Sequence, residues 1–267
     1  MKPPQKEALI GASKAKSPIV AKKTEAYQVR RWVQRLDEGL VRLDQEIRVK
    51  NVQRGTDITG RFWVFGLIRT SRGRVEYRHG SERIAAPAEL YGMFVPPYSV
   101  IEVMLTRSRS FSMGLSSAGK LPATVPREPV VFIPSSHECP SSISEMVDLI
   151  RKSSNFVEVG RAKNPSPLAV RVKDAIDRSY ETPRHLSEIA GELRISPAVM
   201  SRYFKKAYGL PPVHYRHHLR TMDGMMRLLK GEAVKDVFQE VGFDDLSRFY
   251  HHFRQHMIAP PAKYRGR

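Results

Sequence analysis

Val241–Arg254 reads VGFDDLSRFYHHFR, and Ala233–Val241 before it reads AVKDVFQEV. AVKDVFQEV reads as a first short helix, and GFDD interrupts it with Gly242, a residue able to take a positive φ. Asp245 stands near the N-cap of a second helix, DLSRFYHHFRQH, with Leu246, Phe249 and either Tyr250 or Phe253 facing inward. Two short helices joined by a tight turn make a helix-turn-helix unit.

The plan occurs twice. FKKAYGLPPVHYR from Phe204 and FRQHMIAPPAKYR from Phe253 agree at the Phe, at a basic residue, at Pro-Pro and at the closing Tyr-Arg, offset by 49 positions. Before the first copy, LSEIAGEL (Leu186–Leu193) is apolar at Leu186, Ile189 and Leu193. RIS then breaks the pattern, with Ser196 as an N-cap and Pro197 suited to the first helical position. The helix PAVMSRYFKKAY should bury Met200, Tyr203 or Phe204, and Tyr208. Between the units a long helix is expected from about 213 to 229, holding them at a set separation.

VGFDDLSRFYHHFR and the terminal PPAKYR closely resemble the AraC/XylS signature around its second helix-turn-helix, and ISPAVMSRYFKKAYGLPPVHYR resembles the equivalent first segment. The resemblance covers about residues 168–267. It implies a seven-helix domain whose two recognition helices enter successive major grooves on one face of duplex DNA. It also implies a bacterial transcription regulator in the cytoplasm, a homodimer, and RNA polymerase as a partner if the protein activates. Three residues depart from the pattern: Phe238 for a small Ala, and Ile258 and Arg194 where glycine is usual.

A helix in the major groove offers positions i, i+3 and i+4 near its N-terminal end to base edges. Those positions are Ala198, Ser201 and Arg202 in the first unit and Ser247, Tyr250 and His251 in the second. The family's base-reading positions fall on the same residues. Arg202 suits guanine, Ser201 several bases, and Ala198 a thymine methyl. Lys205, Lys206, Arg216, Arg220, Arg248 and Arg254 are candidates for phosphates.

The first part of the chain has a different texture. Residues 1–26 are Lys-, Ala-, Pro- and Ser-rich, and read as a flexible basic tail able to touch DNA nonspecifically. From 27 to 155, FWVFGLI (62–68), RVEYR (74–78), ERIAA (82–86) and VIEVML (100–105) are short strand-like runs. SRG (71–73), HGS (79–81) and Pro96-Pro97 supply turns between them. A helix with an Ile143, Met146, Val147, Ile150 stripe follows, and a linker is placed at 156–167. The expected fold is therefore α+β, an antiparallel β-barrel or sandwich and then an all-α domain at 168–267; the first region loosely resembles the family's cupin-like sensor domains, which implies a sensing or dimerisation role.

If the barrel holds an effector, Trp63, Phe65, Tyr77, Tyr91 and Phe94 are the candidate lining. The arginines 61, 69, 72, 74, 78 and 83 would favour an anionic one. The alternative is a ligand-independent regulator whose β-domain only dimerises or binds a protein.

Forty-five Lys and Arg against 27 Asp and Glu leave +18, which suits a polyanion such as double-stranded DNA. A lone cysteine, Cys139, allows no intrachain disulfide and no cysteine zinc site. No apolar run approaches the roughly 18 residues of a membrane span. An enzyme is not expected: the sequence has no nucleophile motif, phosphate-binding glycine loop or acid–base pair. No cofactor is implied, and no metal, because His214 and His218 at i, i+4 lack a third ligand.

Overall fold

Two long strands organise the first half of the chain. They are seen in a computed structural model that describes residues 20–36, 39–160, 164–257 and 259–265. β5 (Trp63–His79) and β8 (Val100–Ser117) pair antiparallel from Trp63↔Ser117 to Tyr77↔Val103. The far edge of β8 is shared: β3 (Val41–Val49) takes its second half and β4 (Val52–Ile58) its first. Two strands meeting one long strand in succession bend the sheet on itself. β2 (Tyr27–Arg35) and β1 (Val20–Lys23) extend it beyond β3. On the other side of β5 lie β6 (Glu82–Ala85) and β7 (Leu90–Val95), then β9 (Val130–Ile133) and β10 (Ser154–Glu158). Every pairing is antiparallel.

One expected turn is absent. SRG at 71–73 lies inside β5, where the register shifts between Thr70 and Arg74 and the strand bulges. Gly73 has φ +74, and a Cβ there would stand 2.2 Å from the Thr106 carbonyl oxygen. Glycine here serves a close strand crossing, which local sequence cannot tell from a turn. HGS does turn the chain between β5 and β6, with Gly80 at φ 59.

Helix α1 (Ile143–Lys152) starts at Ser142, whose hydroxyl accepts from the Glu145 N–H. It buries Met146, Leu149 and Ile150 against Trp63, Phe94 and Phe132 on one face of the sheet. Two boundaries differ from the sequence reading. β1 falls within the segment read as tail, whose residues 1–19 lie outside the described residues, and β10 runs to Glu158, past the expected linker start.

The rest is helical: α2 (Pro167–Ser179), α3 (Leu186–Glu192), α4 (Pro197–Tyr208), α5 (Pro212–Leu229), α6 (Val234–Glu240) and α7 (Leu246–Met257). A 3-10 turn at Pro261–Lys263 is the seventh helical element. The internal repeat is visible as packing. Phe204 and Tyr215 stack with ring centroids 5.3 Å apart, and Phe253 and Tyr264, each 49 residues later, at 5.4 Å. All four rings are buried, each contributing about 1.5–3 kcal/mol of apolar burial.

Helix α5 belongs to both cores, giving Tyr215 and Leu219 to one and Met225, Met226, Leu228 and Leu229 to the other. Each core continues into the β-domain, through Ile58 and Val100 in the first and Val41 and Phe62 in the second. The two parts of the chain therefore share buried apolar contacts.

Candidate nucleic-acid interface

Each recognition helix follows a turn of the same kind. After α3, the Arg194 N–H donates to the Gly191 carbonyl and Ile195 N–H to Ala190; after α6, Gly242 N–H donates to Gln239 and Phe243 N–H to Phe238. This is a left-handed C-cap in which a positive-φ residue stops the helix. Arg194 has φ 55 and Gly242 φ 89, so the arginine sits in the glycine's conformation. Ser196 then caps α4 by accepting from Val199 N–H at 3.3 Å, with Pro197 in the first turn. Asp245 caps α7, its carboxylate accepting from Ser247 N–H at 3.0 Å and Arg248 N–H at 3.2 Å. Phe238 lies half-buried at the rim of its core, so its bulk is absorbed without entering the centre. Ile258 lies outside the described residues.

On α4, Met200, Phe204 and Tyr208 are buried, while Ala198 and Arg202 are exposed and Ser201 is half-exposed. Tyr203 faces solvent, and the Arg202 guanidinium lies 5.4 Å from its ring centroid. On α7, Phe249, Phe253 and Met257 are buried, with Ser247 and His251 exposed and Tyr250 half-buried. Leu246, read as inward, is 39% exposed, because the helix begins there and the core is reached one turn later. Each helix thus turns its triplet away from the centre of its core, except that Tyr250 packs on the rim of the second core.

The basic residues divide. Lys205, Lys206, Arg248 and Arg254 are exposed, Arg248 lying 3.4 Å from Asp244 and Arg254 6.0 Å from the Tyr250 ring. Arg220 and Arg216 are corrections. Arg220 is 6% exposed; its guanidinium donates to the carbonyls of Tyr180 and Thr182, stacks on Phe243, and is pulled down to a pKa of about 10 by burial. Arg216 donates to the Arg184 carbonyl. Both sit on α5 facing the loop after α2, where Arg220, buried, fastens two backbone carbonyls and Arg216, half-buried, fastens one. Helical periodicity alone does not tell a buried guanidinium from a solvated one.

Two tilted imidazole pairs join α7 to α5. His217 and His252 have centroids 3.8 Å apart, and His218 and His256 4.3 Å. Burial holds His217 and His218 near pKa 3 and His256 near 4, so all three are neutral at ordinary pH.

The second pair opens onto a cavity of about 260 Å³ inside the curled sheet. Phe65, Tyr77 and Tyr91 line it, the two tyrosine hydroxyls 2.8 Å apart. Trp63 and Phe94 do not: Trp63 donates its indole N–H to the Gly119 carbonyl, and both pack under α1. Alternation along β7 sends Phe94 to the face opposite Tyr91 and Met93, whereas on β5 Phe65 shares the parity of Trp63 and packs with it under α1 while still touching the cavity wall. None of the six arginines weighed as favouring an anionic effector lines the cavity, and Arg31 is the arginine in its wall. Asp57 lies beside it, its pKa raised by burial and opposed by Arg31. Sequence reading missed the lid, which comes from the helical half: His218, Met222, Met225 and Met226 on α5, His256 and Met257 on α7. The clustered methionines of MDGMM were the available signal.

Among the described residues no helix is long and apolar enough to cross a membrane. Residues 189–267 match the family model described as a helix-turn-helix domain. The chain is 24% identical over 94 residues to the transcriptional regulatory protein HptR of Staphylococcus aureus, a match spanning 35% of this chain and 37% of HptR. Among solved structures, it is similar to the C-terminal domain of AraT, a response regulator from Geobacillus stearothermophilus (25% identity, 39% of this chain and 87% of that one, TM-score 0.37). It is also similar to ToxT of Vibrio cholerae, solved with an unsaturated fatty acid bound (10% identity, 91% and 96% coverage, TM-score 0.44). The duplicated signature, the paired capped turns and the family match over 189–267 agree on a helix-turn-helix domain in the last third of this chain.

Proposed function

We propose that the protein is a sequence-specific transcription regulator that reads duplex DNA through α4 and α7 and takes a small-molecule effector in its β-domain cavity. What carries the reading is the pair of triplets Ala198, Ser201, Arg202 and Ser247, Tyr250, His251, exposed except for the half-buried Ser201 and Tyr250, on two helices braced by α5. The 18 residues of α5 span about 27 Å, on the scale of the roughly 34 Å between successive major-groove entries on one face of a duplex. RNA polymerase is the partner if the regulator activates, and a second copy of the chain is the partner if the β-domain pairs.

Selection of bound duplexes from a random pool, at stated salt, tests the DNA half. Two enriched blocks about 10 base pairs apart are expected. One block would restrict base reading to one unit, and no enrichment by the protein alone or with effector would overturn the reading. The effector half rests on the cavity, whose wall is apolar apart from a few groups such as Arg31, Asp57 and the tyrosine pair. Thermal unfolding against a panel of apolar metabolites should give an upward shift; none by any compound would favour the ligand-independent alternative.

A further inference from the structure

The β-domain reaches the second recognition helix. Register pairs Lys22 of β1 with Val29 of β2, so Lys22 projects from the side of the sheet on which Val29 is buried. There it stands across an open cleft of about 660 Å³ from Leu246, Ser247, Tyr250, His251, Arg254 and Gln255 on α7. The cleft is thus bounded by a strand of the first domain and by the base-reading side of the second unit. Its walls carry Lys22, Arg254 and His251 and no acid, and Lys22 is exposed.

Positive charge from two separate elements facing one channel favours a polyanionic occupant. It disfavours the chain's own N-terminal segment, in which Lys2, Lys6, Lys14 and Lys16 outnumber Glu7. That segment joins β1 at Val20, two residues before Lys22. Its placement lies outside the described residues.

We propose that β1 is a DNA-contacting arm: the cleft between Lys22 and α7 holds the sugar–phosphate backbone bordering the groove that α7 enters. The sensor-side domain thereby adds phosphate contacts to the interface. The proposal rests on the DNA-binding reading above. Such contacts carry no sequence information but release counterions, so each adds about 0.9 to the slope of log affinity against log salt.

The test is that slope, measured with full-length protein on the selected duplex and on a scrambled one. Lys22→Ala should flatten it by about 0.9 and weaken both duplexes by the same factor, while Lys22→Arg restores it. A chain lacking residues 2–19 should flatten it further. An unchanged slope for Lys22→Ala overturns the cleft assignment, even if the truncation has an effect, because the tail would then touch DNA elsewhere. Tighter binding by Lys22→Ala also overturns it, showing that β1 shields α7. Arg202→Ala separates the two readings: it should abolish the preference for the selected duplex and leave the slope within one contact of wild type. A wild-type protein with no preference defeats base reading yet leaves the slope comparison decisive, and one that binds no duplex defeats both.

Discussion

Arg61, in the turn after β4, places its guanidinium 2.5 Å from the Asp223 carboxylate on α5. The pair joins the β-domain to the helix that spans the two helix-turn-helix units. Asp223 is 1% exposed, and Arg227, one turn along, approaches its other oxygen at 3.4 Å. Burial raises the Asp223 pKa to about 6, so its charge depends on these two cations. Arg61 also lies 3.5 Å from Glu181 in the loop after α2. Arg61→Ala should therefore cost about 1–2 kcal/mol, less than the 3–5 kcal/mol of a fully buried pair, since Arg61 is a third exposed and Arg227 remains. Chemical denaturation checks the value. A loss below about 0.3 kcal/mol would mean that Arg227 alone neutralises Asp223.

The matched turns before α4 and α7 give opposed expectations. Arg194 takes φ 55, where a side chain costs about 1–2 kcal/mol, and it is exposed, so little contact repays that strain. Arg194→Gly should stabilise the protein by about 0.5–1 kcal/mol after the entropy gained by the unfolded glycine is subtracted. Gly242 has the same role at φ 89, but a Cβ there would meet the Glu181 carbonyl oxygen at 2.4 Å. Gly242→Ala should destabilise by about 2–4 kcal/mol, strain and backbone displacement together. Melting temperatures moving in the same direction for both variants would refute the equivalence of the two turns.

These turns also explain what could be read beforehand. Ser196-Pro197 and Asp245 announce helix starts by local hydrogen bonding, so α4 and α7 were legible, and the 49-residue repeat exposed the Phe–Tyr ring pairs of both cores. Gly73 was misread because its reason lies in Thr106, 33 positions away. Trp63 and Phe94 were assigned to the cavity because a two-sided sheet makes both faces apolar, and alternation alone does not name the face that is hollow. The cavity's lid was invisible for a related reason. His218 and His256 come from different helices of the DNA-binding half, and only the packing of that half against the sheet brings them together.

The imidazole pairs make stability depend on pH. His218 faces His256 and the cavity; His217 faces His252, Phe243, Arg216, Arg220 and His214. Their folded pKa values are depressed, so between about 3 and the unfolded value near 6.5 the unfolded chain binds more protons. Stability is then fully present above pH 6.5 and is lost as pH falls through that window. Asp223, raised to about 6, and Asp57 and Asp177, also raised, act in the opposite sense over the acid range, so the clean observable is a difference. Between pH 7.5 and 5, wild type should lose about 2 kcal/mol more than His218→Leu. Parallel stability–pH curves for the two proteins would show that His218 is solvated.

On the proposed reading, base contact and phosphate contact separate along α4. Arg202 is exposed near the N-terminal end of the helix, with Tyr203 beneath its guanidinium to limit its conformations. A bidentate contact to guanine from that position discriminates by about 1–3 kcal/mol, so Arg202→Ala should lose 10- to 100-fold on the selected duplex and relax one base position. Lys205 and Lys206 lie a turn further on and are exposed. Lys205→Ala should weaken selected and scrambled duplexes by one factor and reduce the salt slope by about 0.9. Competition binding of both variants on both duplexes decides the matter. Equal losses on the two duplexes for Arg202→Ala would move that residue into the phosphate class and leave base discrimination in the first unit to Ser201 and Ala198.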